Sequence, residues 1–198
     1  MSKTAADLPK HRVELSDPRA LRALAHPVRL RLVGLLRTHG PLTATQAAEH
    51  VGESPSDCSF HLRQLAHWGL VEPAEGGRGR ERPWKATASA TNWQLAPVSG
   101  EGADARIALD RVVVQEYVDQ IGRWFDRRPA ERDEWLAVSG IGDWILEVTA
   151  DELKTLEDAI DALVEPFVHG TRAEHPGGAR RVTFIHALVP DEDSSVDR

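Results

Sequence analysis

The stretch TATQAAEHVGESPSDCSFHLRQLAHWG, residues 43–69, decides the fold of this chain. Thr43 can cap a short helix from Ala44 to His50, and Gly52 breaks it. Ser54-Pro55 is a second helix start, a capping hydroxyl followed by a proline whose missing N–H is harmless in the first turn. That second helix runs to Trp68, where Gly69 stops it. Two helices of this length joined by a few residues around a glycine make a helix-turn-helix pattern.

The second helix sorts its residues cleanly when turned by about 100° per residue. Cys58, Leu62 and Leu65 fall in one narrow arc and form a core face. Opposite them stand Ser56, Phe60, Arg63 and His67, with Ser59 and Gln64 on the shoulders and Ser54 at the cap. Hydroxyls, a guanidinium and an amide, with Asp57 the one acid among them, suit a major groove, where Arg reads guanine and Gln reads adenine edges. An ordinary solvated helix face is the alternative. His61 lies about 60° from the Cys58 direction, at the border of the core, where it either supports the helix or reaches a phosphate.

Leu70 to Pro73 reads as a short strand, Glu75 to Arg80 as a glycine-rich hairpin loop and Arg82 to Ala86 as the returning strand. Arg78, Arg80 and Arg82 stand on alternate positions and can face one phosphate backbone together, with Lys85 following them. Trp84 reads as packing between this wing and the body. Ahead of the motif, Ser16-Asp17-Pro18 opens a helix, and His26-Pro27 restarts it because the residue before proline resists the helical region. That next helix ends at Gly40-Pro41. Residues 1–15, polar and without a period, read as a flexible arm.

Charge divides the chain in two. Its net charge is −7, yet residues 1–96 sum to +4 and hold six of the nine histidines, while residues 97–198 sum to −11. A basic head can meet a polyanion, whereas the second half would repel one. The expected organisation is therefore an arm over 1–15, a winged helix-turn-helix domain over 16–96, a dimerisation and effector domain over 97–190, and a disordered acidic tail over 191–198. The fold class is mainly α with a β-wing, followed by an α+β, helix-rich C-terminal domain.

In that second half, Ala103 to Phe125 forms one long helix. Ile107, Val114, Val118, Ile121 and Phe125 make an apolar stripe that Val113, Tyr117 and Trp124 widen, broad enough to be a shared dimer face. Glu131 to Val138 reads as a short helix. Thr149 with Glu152 forms a capping box opening a helix with Leu153, Leu156, Ile160, Leu163, Val164 and Phe167 on one side. Residues 143–148 and 181–189 read as strands that would pair. Trp124, Phe125, Trp135, Trp144 and Phe167 either line a cavity for a small apolar ligand or form the domain core.

Chemistry beyond binding finds little support. A single cysteine, Cys58, on an apolar helix face, reads as packing rather than redox sensing and fits a reducing cytoplasm. The histidines are scattered: His169 and His175 flank a loop and His186 lies beyond it, so no metal and no other cofactor is expected. The chain has no phosphate-cradling glycine loop ended by lysine and no nucleophile elbow, and it reads as a non-enzyme. No apolar run approaches the ~20 residues that span a bilayer, and the N-terminus lacks an apolar leader.

From Leu15 to Ala88 the sequence closely resembles ArsR-type, SmtB-like winged-helix transcriptional regulators. The segments that carry the likeness are LAHPVRLRL at 24–32, LTATQAA at 42–48, SFHLRQL at 59–65 and GLV at 69–71. The resemblance implies a bacterial homodimer that binds a near-palindromic operator on double-stranded DNA, usually represses, and lets go when an effector binds. It also implies that residues 59–65 lie in the recognition helix and that the loop with Arg78 to Arg82 is the wing. Metal-sensing members place paired cysteines near the start of the recognition helix, or His and Asp on a long terminal helix. Here only Cys58 stands on the first, and the long helix offers Asp104, Asp110, Glu116 and Asp119 without a histidine. The alternatives are a winged helix used for protein contact, with weak or no DNA binding, and a divalent-metal-responsive repressor.

Overall fold

The computed structural model of the chain describes residues 10–76, 82–92, 99–168 and 176–191. Its elements run β1 (Lys10–Glu14), α1 (Pro18–Leu24), α2 (Pro27–His39), α3 (Ala44–Val51), α4 (Pro55–His67), β2 (Val71–Pro73), β3 (Trp84–Ala86), β4 (Ala88–Asn92), α5 (Gly100–Arg127), α6 (Asp133–Leu136) and α7 (Ala150–Val164). Single 3-10 turns follow α5, at Arg128–Ala130, and α7, at Glu165–Phe167. The arrangement is mainly helical, a winged helix-turn-helix followed by a helical C-terminal region.

Capping chemistry sets the helix starts. Asp17 accepts the Arg19 amide at 2.8 Å and Pro18 begins α1. Thr43 and Gln46 close a reciprocal capping box on α3, at 3.2 and 2.9 Å. Gly52 ends α3 in the left-handed region, φ +74°, and so makes the tight turn between α3 and α4. Ser54 accepts the Asp57 amide at 3.1 Å and donates to the Asp57 carboxylate at 2.7 Å, which fixes the start of α4.

One core joins these helices. Leu21 and Leu24 of α1, Leu32, Val33 and Leu36 of α2, Ala47 and Val51 of α3, and Cys58, Leu62 and Leu65 of α4 are all buried in a single cluster. Ala105, Leu109 and Val113 of α5 belong to the same cluster. These residues stand one helical turn apart, so the first half of the long helix lies along α1 as part of the head. The head therefore extends past the expected boundary near residue 97, because its core needs that ridge to close.

The wing is a hairpin with β2 and β3 antiparallel, Glu72 opposite Lys85. Leu42 extends it, exchanging backbone hydrogen bonds with Trp84 at 3.0 and 2.8 Å, so the wing is tied to the loop before α3. Trp84 packs against the core as a partly buried side chain. A second sheet was not expected. β1 runs parallel to β4, from Lys10 opposite Ala88 to Glu14 opposite Asn92, so residues 10–14 of the expected arm form a strand. Arg37 of α2 holds this sheet from below, donating from Nε to the Ala88 carbonyl at 3.0 Å and from Nη2 to the Thr91 hydroxyl. Burial lowers that guanidinium to about 10.

The second half departs from expectation. Residues 143–148 and 181–189 form no strand, so this region is helical with irregular segments rather than α+β. An extended segment becomes a strand only through a hydrogen-bonded neighbour, and these two do not pair. The 179–191 segment instead touches α5 and the head, Gln120 donating to Thr183 at 2.6 Å and Arg181 donating to the Thr38 carbonyl. No residue of α6 or α7 is buried. The expected acidic tail lies beyond the described residues, apart from Asp191.

Candidate nucleic-acid interface

Geometry of α4 follows the periodicity. Cys58, Leu62 and Leu65 are fully buried, while Ser56, Asp57, Phe60, Arg63 and His67 are exposed and Ser59, His61 and Gln64 are partly so. The expected reading face is thus assembled on one side of one helix. Phe60 stands at its centre, 50% exposed. Arg63 Nη1 donates to Ser59 Oγ at 2.6 Å, one turn back, which fixes the direction of the guanidinium along the face. His67 meets Trp68 edge to face, with centroids 5.0 Å apart.

Ser54 occupies a different role from its neighbours. Its hydroxyl is engaged at both ends with Asp57, so it builds the helix start and holds the carboxylate of the one acid near the face. Burial pushes the Cys58 thiol up, which suits an inert packing group.

On the wing, Arg82 is exposed just before β3. Lys85 is paired across the hairpin with Glu72 at 3.1 Å. Arg78 and Arg80 lie outside the described residues.

Sequence reasoning passed over a second polar group beside α4. His61 stacks on His26, the residue before α2, with ring centroids 4.7 Å apart and planes tilted by 40°. Desolvation, then the Arg29 charge, holds both imidazoles below the ordinary histidine value. Arg31 of α2 donates to the Val51 carbonyl at 3.2 Å and stands 3.7 Å from Glu53, bracing the turn between α3 and α4. The signal in the sequence was the placing of His26 before Pro27, which fixes that side chain at the mouth of a helix.

Of the five aromatics expected to line one cavity, only Trp124 and Phe125 are in ring contact with each other among the described residues. Trp124 and Phe125 touch at 4.9 Å, with Arg128 over the Trp124 ring at 5.4 Å. Trp135 lies under Arg180 at 4.8 Å, and that guanidinium forks onto Glu131 at 2.7 and 2.9 Å, holding its carboxyl down to about 2. Trp144 is 85% exposed and Phe167 is 69% exposed. A cavity of about 360 Å³ does exist, but Ala150, Leu153, Lys154, Glu157, His186 and Leu188 line it. Among the described residues no three His, Cys, Asp or Glu side chains are grouped to hold a metal ion, and His169 and His175 lie outside them. Among the same residues, no helix is long and apolar enough to cross a membrane.

Residues 24–74 match a family described as a helix-turn-helix domain. No curated protein matches the chain. Among solved structures, the chain is similar to the PcaV transcriptional regulator from Streptomyces coelicolor in complex with its natural ligand, at 14% identity over 69% of this chain and 72% of that one, TM-score 0.30. RV1404 from Mycobacterium tuberculosis matches at 14% identity over 75% and 83%, TM-score 0.30. An apo-form mutant of ZitR from Lactococcus lactis matches at 15% over 71% and 81%, TM-score 0.29. Overlap at that level leaves the function to be read from the chain's own geometry.

Proposed function

We propose that this chain is a sequence-specific, DNA-binding transcriptional regulator, a cytoplasmic homodimeric repressor released by an effector. The observation that carries the reading is the outward face of α4, where Ser56, Phe60 and Arg63 stand free of the core with a wing beside them. In this reading α4 enters the major groove, Ser56, Ser59, Arg63, Gln64 and His67 meet base edges, and Phe60 covers a thymine methyl. His61 sits at the groove's rim. The wing arginines Arg78, Arg80 and Arg82, with Lys85, hold the phosphate backbone and fix register.

Dimerisation follows from α5. Beyond Val113 its apolar residues Val114, Val118 and Phe125 are exposed on a helix already anchored to the head. A second copy of the same stripe covers them and sets two recognition helices about one DNA turn apart, ~34 Å. Trp124, Phe125, Trp135, Trp144 and Phe167 are the residues we assign to the effector, in a pocket that the second copy completes. Effector binding there turns the heads out of register.

Selection of fragmented genomic DNA on the purified protein, followed by titration of the recovered fragment at two salt concentrations, tests the reading. A recovered palindrome whose affinity falls steeply with salt is the expected result. No enrichment, or equal retention of all fragments, overturns it in favour of a protein-contact module.

A further inference from the structure

His26, Arg29 and His61 form a group whose polar atoms are left over by the fold. Among the described residues, the Nδ1 atoms of both imidazoles and Nε of Arg29 are buried without a hydrogen-bond partner. Among the described residues Arg29 makes one long hydrogen bond, from Nη2 to the Arg22 carbonyl at 3.5 Å. Arg29 Nε is a donor, and leaving it unpaired costs about 1–3 kcal/mol that an acceptor can relieve, while the two Nδ1 atoms show that no protein hydrogen bond holds either ring there. The acids nearby are already engaged, Glu53 facing Arg31 and Asp57 bound to Ser54. Among the described residues Arg29 itself has no acid within ion-pair distance.

Chemistry and position both point to an anion. The three side chains are only partly buried, so they are reachable from solvent. With Nδ1 enclosed and lacking an acceptor, each neutral ring keeps its hydrogen on Nε2 and offers one donor. His61 is also in contact with Phe60, the centre of the reading face, with ring centroids 5.4 Å apart. We propose that His26, Arg29 and His61 form an anion grip for one phosphodiester of the DNA backbone, closing with uptake of a proton by the imidazole pair. This rests on the reading of α4 as a DNA-contacting helix.

The proton has a physical reason. In the free protein a charge on either ring is opposed by burial and by Arg29, and on His26 also by the other imidazole, while Glu53 favours it on both rings, Asp57 on His61 alone, and Arg31 opposes it on His26. A phosphate brought against the group supplies the missing counter-charge and raises the affinity of the pair for a proton. By linkage, one proton taken up strengthens DNA binding by up to about tenfold for each pH unit lowered.

A duplex of mixed sequence at low salt is the probe, titrated with the full chain between about pH 8 and about pH 6, where histidine changes charge. Wild type gains affinity as pH falls, and His26→Asn and His61→Gln each flatten that slope. A slope equal in wild type and both variants overturns the grip. Imidazole titration by NMR on the wild-type protein guards against a misfolded variant: His26 and His61 titrate at higher pH with the duplex bound, and unchanged titration refutes the grip. No duplex binding at any pH, with no enriched genomic fragment, overturns the DNA reading itself, whereas binding without a pH slope overturns the grip alone.

Discussion

Leu62 and Arg63 are neighbours in the chain and belong to opposite faces of α4, so truncating each in turn separates packing from recognition. Leu62 is fully buried. Leu62→Ala removes three carbons from the centre of the head core and leaves a cavity, at a cost of about 2–5 kcal/mol. At a total stability of about 5–15 kcal/mol, that loss shows directly as a lower urea midpoint. Arg63 is exposed, and among the described residues it bonds to Ser59, a turn away on the same helix. Arg63→Ala should change stability by no more than about 0.5 kcal/mol, as exposed helix substitutions do, with the better helix propensity of alanine offsetting the lost contact. Recognition reverses the order. Losing a bidentate guanine contact costs about 1–3 kcal/mol, roughly fivefold to more than hundredfold in affinity for the selected fragment. The Leu62→Ala protein, assayed at low temperature where it remains folded, should bind within a few-fold of wild type. Urea unfolding followed by tryptophan fluorescence, and fragment titration at two salt concentrations, give both readouts. An Arg63→Ala protein that binds the selected fragment as wild type does would refute the assignment of this face.

Acid should weaken the head. His26 and His61 titrate below the ordinary value in the folded chain, so below about pH 6.5 the unfolded chain binds more protons and stability falls until the folded rings titrate too; urea midpoints at several pH values check this, and His61→Gln should flatten the fall. Two glycine substitutions should act with opposite sign although both positions have open space for a methyl group. Gly52→Ala forces a left-handed alanine, φ +74°, and loses about 1–2 kcal/mol, whereas Gly34→Ala, inside α2 with ordinary helical backbone, gains about 0.5–1 kcal/mol, both read from urea melts. Val118→Glu, on the exposed stripe of α5, should convert a dimer to a monomer in sedimentation equilibrium without lowering the stability of the head, because Val118 is 55% exposed in one chain.

What the sequence made legible is what local chemistry decides. Asp17, Thr43, Ser54 and Thr149 each cap the helix that their position announces, because a capping side chain acts on amides two or three residues away. The faces of α4 were legible for a similar reason, since Cys58, Leu62 and Leu65 repeat within one element. Pairings across distance were not. Lys10–Glu14 shows no alternation of apolar residues, and its strand exists only because Ala88–Asn92 lies alongside. His26 precedes α2 and His61 stands in α4, and nothing in either segment marks the other as its partner.

The expected strands at 143–148 and 181–189 failed for a reason that bears on function. Both segments carry the right residues, and Trp144 is left 85% exposed and Ile145 89% exposed. A lone chain does not leave such side chains in water when it has the means to cover them, since burying each is worth about 1.5–3 kcal/mol. The head shows what the alternative looks like: its core takes in α1 to α4 and then reaches along α5 only as far as Val113. Past that point no described residue is buried, yet α7 still carries a capping box and one apolar side, a helix made to lie on something. The surface it lacks is the one that the exposed stripe of α5 also lacks. In the proposed dimer two copies supply it to each other, and the region that pairs them is then the same region whose aromatic residues we assign to the effector. On the proposed reading, a ligand that changes the packing there acts on the spacing of the two α4 helices through α5, the element that belongs to both the head core and the exposed stripe.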